Sequence, residues 1–429
     1  MKTITGFEKG KEHLLRKNQR TLDDIESLNR VLDILKEVKK SGDQALFDIT
    51  LEIDKVKLST LEIPAKTMAH AYNNLDSSLR NSLESMAKRI QDFHFKCLPE
   101  SWFLEEEGYG EKFEPVERAG IYIPGGRGAY PSTVLMTVIP AKVAGVENII
   151  LATPPQSDGL PSQVTLAASH IAGVNKVLSI GGAQAIAAMA YGTESITKCD
   201  IVCGPGNIYV TQAKKMVFGD VALDGLYGPT ETIVIADEST NPMYCAADLI
   251  AQAEHDPLAS PILITNSEEL IKTVIDEIEI QLENLPTKSV AIQALKNQGT
   301  AILIENIDQA IELANIYAPE HLCLLIENPL GILKSIKNAG GVFLGDYSPE
   351  VIGDYLAGPS HVMPTGGTAK FSSPLGVHQF LKVTSVVGLN HTTFNSLVDD
   401  GIKLALAEGF FAHARAMEIR NNKSANRNN

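Results

Sequence analysis

Residues 119–152 read AGIYIPGGRGAYPSTVLMTVIPAKVAGVENIILA. A short apolar run, GIYI (120–123), passes through a turn rich in Gly and Pro into a helical stretch, and a second apolar run, NIILA (148–152), follows. Strand, helix and strand in succession mark a βαβ unit, because parallel neighbours need a long crossover. The same grammar continues in KVLSI (176–180), DIVC (200–203), ETIVIA (231–236), PILIT (261–265), AILI (301–304) and GVFL (341–344). Strands alternating with helices imply an α/β fold whose parallel sheets carry helices on both faces. The series pauses at Leu223–Thr230 and resumes, which predicts two doubly wound lobes.

Outside this region the pattern is helical. Ile25, Leu28, Val31, Leu32, Leu35 and Val38 fall at helical spacing, and Leu79–Phe95 behaves alike. The last 60 or so residues read as helix again and close on a polar tail, RNNKSANRNN, expected to fray.

A chain of 429 residues exceeds what one core usually serves, so two or more domains are expected. Its net charge of −15 repels nucleic-acid phosphates and anionic lipid, and neither is expected as a partner. No stretch approaches the roughly 18 uninterrupted apolar residues of a membrane span, and MKTITGFEKGKEHLLRKNQR lacks the apolar run of a secretory signal. Cys97, Cys199, Cys203, Cys245 and Cys323 are odd in number and show no CxxC spacing. That argues against a disulfide scaffold or zinc knuckle and fits a reducing cytoplasm.

Three stretches pass from an apolar run through Gly into a helix start: IYIPGGRGAYPS (121–132), SIGGAQAIAAMAYG (179–192) and CGPGNIYVTQAKK (203–215). Such turns turn backbone N–H groups and a helix dipole toward an anion, which suits a pyrophosphate. None is GxGxxG, so the usual dinucleotide fingerprint is missing, and turn glycines also serve geometry alone.

A second set is metal-like. In DLIAQAEHDP (248–257), Gln252 and His255 stand three apart, which on a helix puts both on one face. Asp354 follows in GDYLAGPSH and His413 in EGFFAHARA. Two imidazoles, a carboxylate and an amide oxygen suit zinc, cobalt or manganese, although a lone Gln-x-x-His is more often a plain helix face. In YAPEHL (317–322), adjacent Glu320 and His321 are able to divide acid–base work. The plainer alternative is a helix start after proline, with Glu in its first turn. His361 lies seven residues after Asp354, and Glu408 five before His413. On one unbroken helix that last pair points about 140° apart, and Gly409 offers a break.

These pieces stand in the order, and at close to the separations, found in histidinol dehydrogenases. The chain resembles that family from about Asp23 to Arg420. The resemblance is most specific in GIYIPGGRGAYPSTVLM, IGGAQAIAAMAYGTES, GPGNIYVTQAK, AQAEHD, APEHL, GVFLGDYSPEVIGDYLAGPSHVMPT and AEGFFAHA. It implies that Gln252, His255, Asp354 and His413 hold one zinc ion per subunit and that Glu320 and His321 are the proton acceptors. Substrate contacts are implied at Thr230, Gln252, His255, His321, Asp354, His361, Glu408 and His413. NAD contacts are implied at Tyr122, Gln184 and Asn207, one in each Gly-containing turn.

The implied fold is two incomplete Rossmann-like lobes with small terminal pieces. These are an N-terminal arm (1–20), a first lobe (21–121 with 231–370) that includes the helical N-terminal part, a second lobe with the NAD turns (122–230), and a C-terminal helical segment (371–429). The implied assembly is an intertwined homodimer in which that last segment completes the partner's site, so that Glu408 and His413 act in trans. The implied reaction is the four-electron, NAD-linked oxidation of L-histidinol through L-histidinaldehyde to L-histidine, the final steps of histidine biosynthesis. One stretch departs from the family: LYGPTE (226–231) stands where AGPSE is usual. Thr230 keeps the hydroxyl and adds a methyl beside Tyr227, so a different small polar alcohol, such as a sulfopropanediol, is the alternative substrate for a zinc and NAD enzyme of this kind.

Overall fold

The computed structural model describes residues 1–15, 24–125 and 128–421. Residues 16–20 of the expected arm, Gly126 and Arg127 of the first glycine turn, and the tail from 422 onward lie outside the described residues. The chain divides into two units, Met1–Leu98 with Val116–Phe380, and Pro99–Pro115 with Leu381–Asn429.

Among the described residues the first unit carries two six-stranded sheets. In the first, the order is Glu62–Ile63, Lys176–Ser179, Asn148–Thr153, Arg118–Tyr122, Ile201–Cys203, Ala222–Leu223, parallel except for the short first strand. The second is parallel throughout: Lys2–Thr5, Thr300–Leu303, Ser260–Thr265, Glu231–Ala236, His321–Leu325, Gly341–Leu344. Every residue of Glu231–Ala236 and His321–Leu325 is buried, as a parallel strand covered on both faces requires. All eight strand runs read from the sequence are strands here, and Leu223–Thr230 is the passage between the sheets.

Local chemistry sets the helix ends. Asp24, Asp76, Ser162, Asn207, Asn241, Ser267 and Asn306 each accept a backbone N–H at a helix start, filling one of the donors the first turn leaves open. Pro131 and Pro242 open their helices, where no N–H is needed.

The helix Ile25–Ile53 packs on the first sheet, whereas the expected grouping set 21–121 with 231–370. Val31, Leu35, Val38 and Leu46 of the helix Ile25–Ile53 share a core with Ile186, Val202 and Val210. Full burial of each such side chain contributes about 1.5–3 kcal/mol. Helical periodicity shows that a face is apolar, not which sheet it will cover. Conversely Lys2–Thr5, too short to show a pattern, adds a strand to the edge of the second sheet.

The second unit holds a three-stranded antiparallel sheet, Leu381–Val387, Tyr109–Pro115, Trp102–Leu104, and the helices His391–Ala407 and Phe411–Glu418. Its C-terminal part is therefore strand as well as helix. No helix among the described residues is long and apolar enough to cross a membrane.

Candidate active site

The strand Arg118–Tyr122 lies between Asn148–Thr153 and Ile201–Cys203. The chain builds outward on one side, then crosses to the other, and the crevice at the carboxyl ends of such a reversal is the usual ligand site of open α/β sheets. All three glycine turns leave strands at that edge. Buried Tyr122 ends its strand, and its hydroxyl accepts the Gly182 N–H at 3.1 Å. Gly182 takes φ 65°, and a Cβ there would stand 2.7 Å from Gln184 Oε1. Gln184 is 1% exposed, yet its Oε1 has no hydrogen-bond partner. Asn207 caps the helix Ile208–Val217, accepting from Tyr209 and Val210 N–H at 3.1 and 3.2 Å.

Gly204 brings the third turn against the first, since a side chain there would strike the Tyr122 carbonyl. A buried ion pair holds this packing. Lys214 Nζ donates to Asp224 Oδ1 at 2.5 Å and to the Gly204 carbonyl at 2.9 Å, while Asp224 Oδ2 accepts the Gly204 N–H at 2.7 Å. The Tyr227 ring faces Lys214 Nζ at 4.8 Å.

Glu320 and His321 lie at the opposite kind of edge, the amino end of a strand in the second sheet. The helix Ile307–Tyr317 stops at Ala318, whose φ of 56° is unusual for a residue with a side chain, and the chain turns through Pro319 into Glu320 and the strand His321–Leu325. Glu320 precedes a strand, so the helix-start reading of YAPEHL does not hold. Both side chains are buried, and Glu320 Oε2 is 3.6 Å from His321 Nδ1. Glu320 Oε2 accepts from the Thr230 hydroxyl at 2.6 Å and the Glu231 N–H at 3.1 Å. The Thr230 hydroxyl is also 2.7 Å from Gln252 Oε1.

Gln252 Nε2 is 3.5 Å from His321 Nδ1, and Asp354 Oδ1 is 3.6 Å from His321 Nε2. Gln252 and Asp354 thus border opposite edges of one imidazole. Burial raises the Glu320 carboxyl despite His321 beside it. Burial alone would lower His321, but Glu320, Asp354 and Glu350 outweigh it and hold the ring's proton affinity well above the ordinary histidine range. The Asp354 carboxyl is lowered: burial opposes this, and His321, His361 and His255 prevail.

His361 Nδ1 donates to the Asp354 carbonyl oxygen at 2.9 Å, and its Nε2 stands 3.1 Å from the Thr133 hydroxyl. Thr133 belongs to the helix Pro131–Ala144 that follows the first glycine turn, so this cluster abuts the nucleotide-type crevice. His255 is not on the helix with Gln252. That helix ends at Ala253, and His255 is an exposed turn residue whose N–H reaches the Gln252 carbonyl at 3.2 Å.

Glu408 and His413 lie in the second unit and are exposed. Glu408 caps the helix His391–Ala407, Gly409 takes φ 80°, and His413 stands on the next helix, so the break expected at Gly409 is present. Among the described residues no group of three His, Cys, Asp or Glu side chains is placed to hold a metal. Of the four residues implied as ligands, the first unit contributes His255, Asp354 and the amide of Gln252.

Sequence reading missed the layer beneath His321. Glu350, 0% exposed, accepts from Thr232 at 2.6 Å and touches Cys323 Sγ at 3.4 Å. Burial pushes Glu350 up, and Asp248, which feels its charge, up to about 7. Glu231, through its N–H on Glu320 and its carboxylate on the Gly366 N–H, was passed over as an ordinary strand residue. Acidic residues in apolar runs were the available signal.

A buried Glu–His pair and glycine-rich strand-to-helix turns on a doubly wound α/β scaffold are the kind of features an α/β enzyme carries. The profile of the histidinol dehydrogenase family matches residues 16–421. The chain is 45% identical over 407 residues to a histidinol dehydrogenase of Clostridium acetobutylicum, covering 94% of each chain. It is 47% identical over 418 residues to that of Carboxydothermus hydrogenoformans, covering 96% of this chain and 98% of the other. The crystal structure of histidinol dehydrogenase from Elizabethkingia anophelis superposes with a TM-score of 0.94 at 36% identity, covering 99% of both. This chain belongs to the histidinol dehydrogenase family, and so to the oxidoreductases.

Proposed function

We propose that this protein oxidises L-histidinol through L-histidinaldehyde to L-histidine, with NAD and one zinc ion per subunit, as a cytoplasmic homodimer with shared sites. The observation that carries the reading is the buried Glu320–His321 pair, bracketed by Thr230, Gln252 and Asp354, in a chain of this family. Bound NAD supplies the hydride acceptor, and bound zinc a Lewis acid that fixes the substrate. The donors fit zinc in kind: an amide oxygen, a carboxylate and the imidazole of His255, with His413 as the fourth. Gln184, with an acceptor left open at a glycine turn, fits the nucleotide, alongside Tyr122 and Asn207.

The chain's own residues handle protons. His321, in its neutral form, takes the alcohol's proton as the carbinol carbon is oxidised, and Glu320, Asp354 and Glu350 around it stabilise the imidazolium that results. Glu320, raised by burial, then takes a proton from the water that adds to the aldehyde, and the hydrate is oxidised to the acid. The substrate loses four electrons and gains one oxygen from water. His361 and Glu408 contact the substrate's polar ends in this scheme.

Two NADH per histidinol, with activity lost on chelation and restored by zinc, are the expected results of a spectrophotometric assay. One NADH with free aldehyde released would overturn the two-step account. Glu320→Gln should lower kcat about 100-fold or more, as removal of a general base does, with the second oxidation most affected. The departure in LYGPTE favours a different alcohol only through the Thr230 methyl, because the Tyr227 ring is packed over Lys214. Turnover of a sulfopropanediol with none of histidinol would establish that alternative.

A further inference from the structure

Asp54 closes the helix Ile25–Ile53. That helix kinks at Gly42, and its following segment packs along the helix Gly182–Tyr191. Asp43 meets Thr193 beyond the far end of that helix. The segment therefore runs back toward Gly182 and Tyr122: seven residues past Asp54 the Leu61 carbonyl accepts the Ser179 N–H at 2.8 Å, at the end of the strand that leads into Gly182. Asp54 is half-buried, but its Oδ2 is shielded from solvent and has no hydrogen-bond partner. Gln184 Oε1, at the same turn, is in the same condition.

Folded proteins rarely take water from a carboxylate oxygen without returning a donor. Two open acceptors, Gln184 just after a strand-to-helix turn and Asp54 on the segment that packs beside that helix, call for a ligand rich in donors. Ribose hydroxyls are such donors, and an acidic side chain near a nucleotide turn both accepts from the 2′-hydroxyl and repels a 2′-phosphate. We propose that Asp54 accepts a hydrogen bond from a ribose hydroxyl of the bound dinucleotide and sets the preference for NAD over NADP. The proposal rests on the nucleotide reading above. Its carboxylate serves no visible structural purpose: the helix end is closed by the Asp54 backbone N–H on the Thr50 carbonyl, not by the side chain.

The test is fluorescence titration of NADH and NADPH against wild type, Asp54→Asn and Asp54→Ala, with thermal melts of each protein alone and with nucleotide. Asp54→Asn keeps the shape and should fold. It should melt no lower than wild type without nucleotide, because a charge that burial penalises is gone. It should bind NADH about tenfold more weakly or worse, the loss typical of one hydrogen bond to a charged group. Its discrimination against NADPH should narrow by a similar factor, and the NADH-induced rise in Tm should shrink. Unchanged NADH and NADPH affinities in Asp54→Asn would overturn the assignment while leaving NAD binding intact. A wild-type protein that binds neither nucleotide would remove both readings.

Discussion

Thr230 carries a single hydroxyl proton and faces two oxygens, Gln252 Oε1 at 2.7 Å and Glu320 Oε2 at 2.6 Å. One proton serves one acceptor, so Thr230 donates to only one of the two oxygens at a time, and Glu320 Oε2 keeps the Glu231 N–H in either case. Thr230→Ser should keep activity close to wild type, because the hydroxyl is what matters. Thr230→Val should lower kcat/KM roughly 10- to 100-fold, the worth of a hydrogen bond to a charged group, as read by steady-state kinetics. His94 poses a different question. It is 2% exposed in the helix Ser77–Phe95, both ring nitrogens lack partners, and burial lowers its proton affinity from 6.5 to about 4. A histidine depressed on folding takes up protons more readily when unfolded, so stability holds above pH 6.5 and falls as pH drops toward 4. The linkage is worth about 2 kcal/mol between pH 7 and pH 5, and urea melts of His94→Leu at the two pH values should lie closer together by that amount. The motif residues Glu320 and His321 could be named from sequence because the family pattern supplied them. Their neighbours Glu231 and Glu350 could not, since an acidic residue discloses its partners only after strands distant in sequence pair.

The same contrast holds for elements. The βαβ units were readable because each carries its own apolar run, turn glycine and helix, all local in sequence. The antiparallel pairing of Leu381–Val387 with Tyr109–Pro115 joins segments some 270 positions apart with mostly exposed strand faces, and no local pattern announces it. A kink is equally hidden. The helical spacing from Ile25 to Val38 gives no sign of a bend, yet in Ile25–Ile53 Gly42 takes φ 55° and ψ −132°, a conformation all but confined to glycine. A side chain there would also strike the Glu194 carboxylate, which accepts the Asp43 N–H at 2.7 Å. Gly42→Ala should therefore cost about 1–3 kcal/mol from backbone strain, with further loss as Glu194 is displaced. Urea denaturation measures it, and a change under about 0.5 kcal/mol, ordinary for an exposed site, would show that the bend is not enforced. Because the segment beyond the bend ends at Asp54, NADH affinity should weaken along with stability.

At the scale of the whole molecule, the second unit decides whether one chain suffices. It exposes Leu404, Phe411 and Ile419 at 66%, 72% and 66%, close in sequence to the exposed Glu408 and His413. Large apolar side chains left this exposed suit a surface that a partner covers. The homodimer proposed here covers it with a second copy and lets each C-terminal segment supply Glu408 and His413 to its partner's Glu320 and His321. That arrangement makes a quantitative demand. His321→Ala and His413→Ala proteins are each inactive alone, because every site in either homodimer lacks one group. In a mixed dimer one site collects both defects and the other is whole. Random reassociation of equal amounts makes half the dimers mixed, so refolding the two together should restore roughly a quarter of wild-type activity if the sites are shared across a two-fold dimer. Mixing without refolding should restore little if the segments are intertwined, since exchange then requires unfolding. A monomeric mass by light scattering, or no recovery after joint refolding, would mean that His413 serves its own chain.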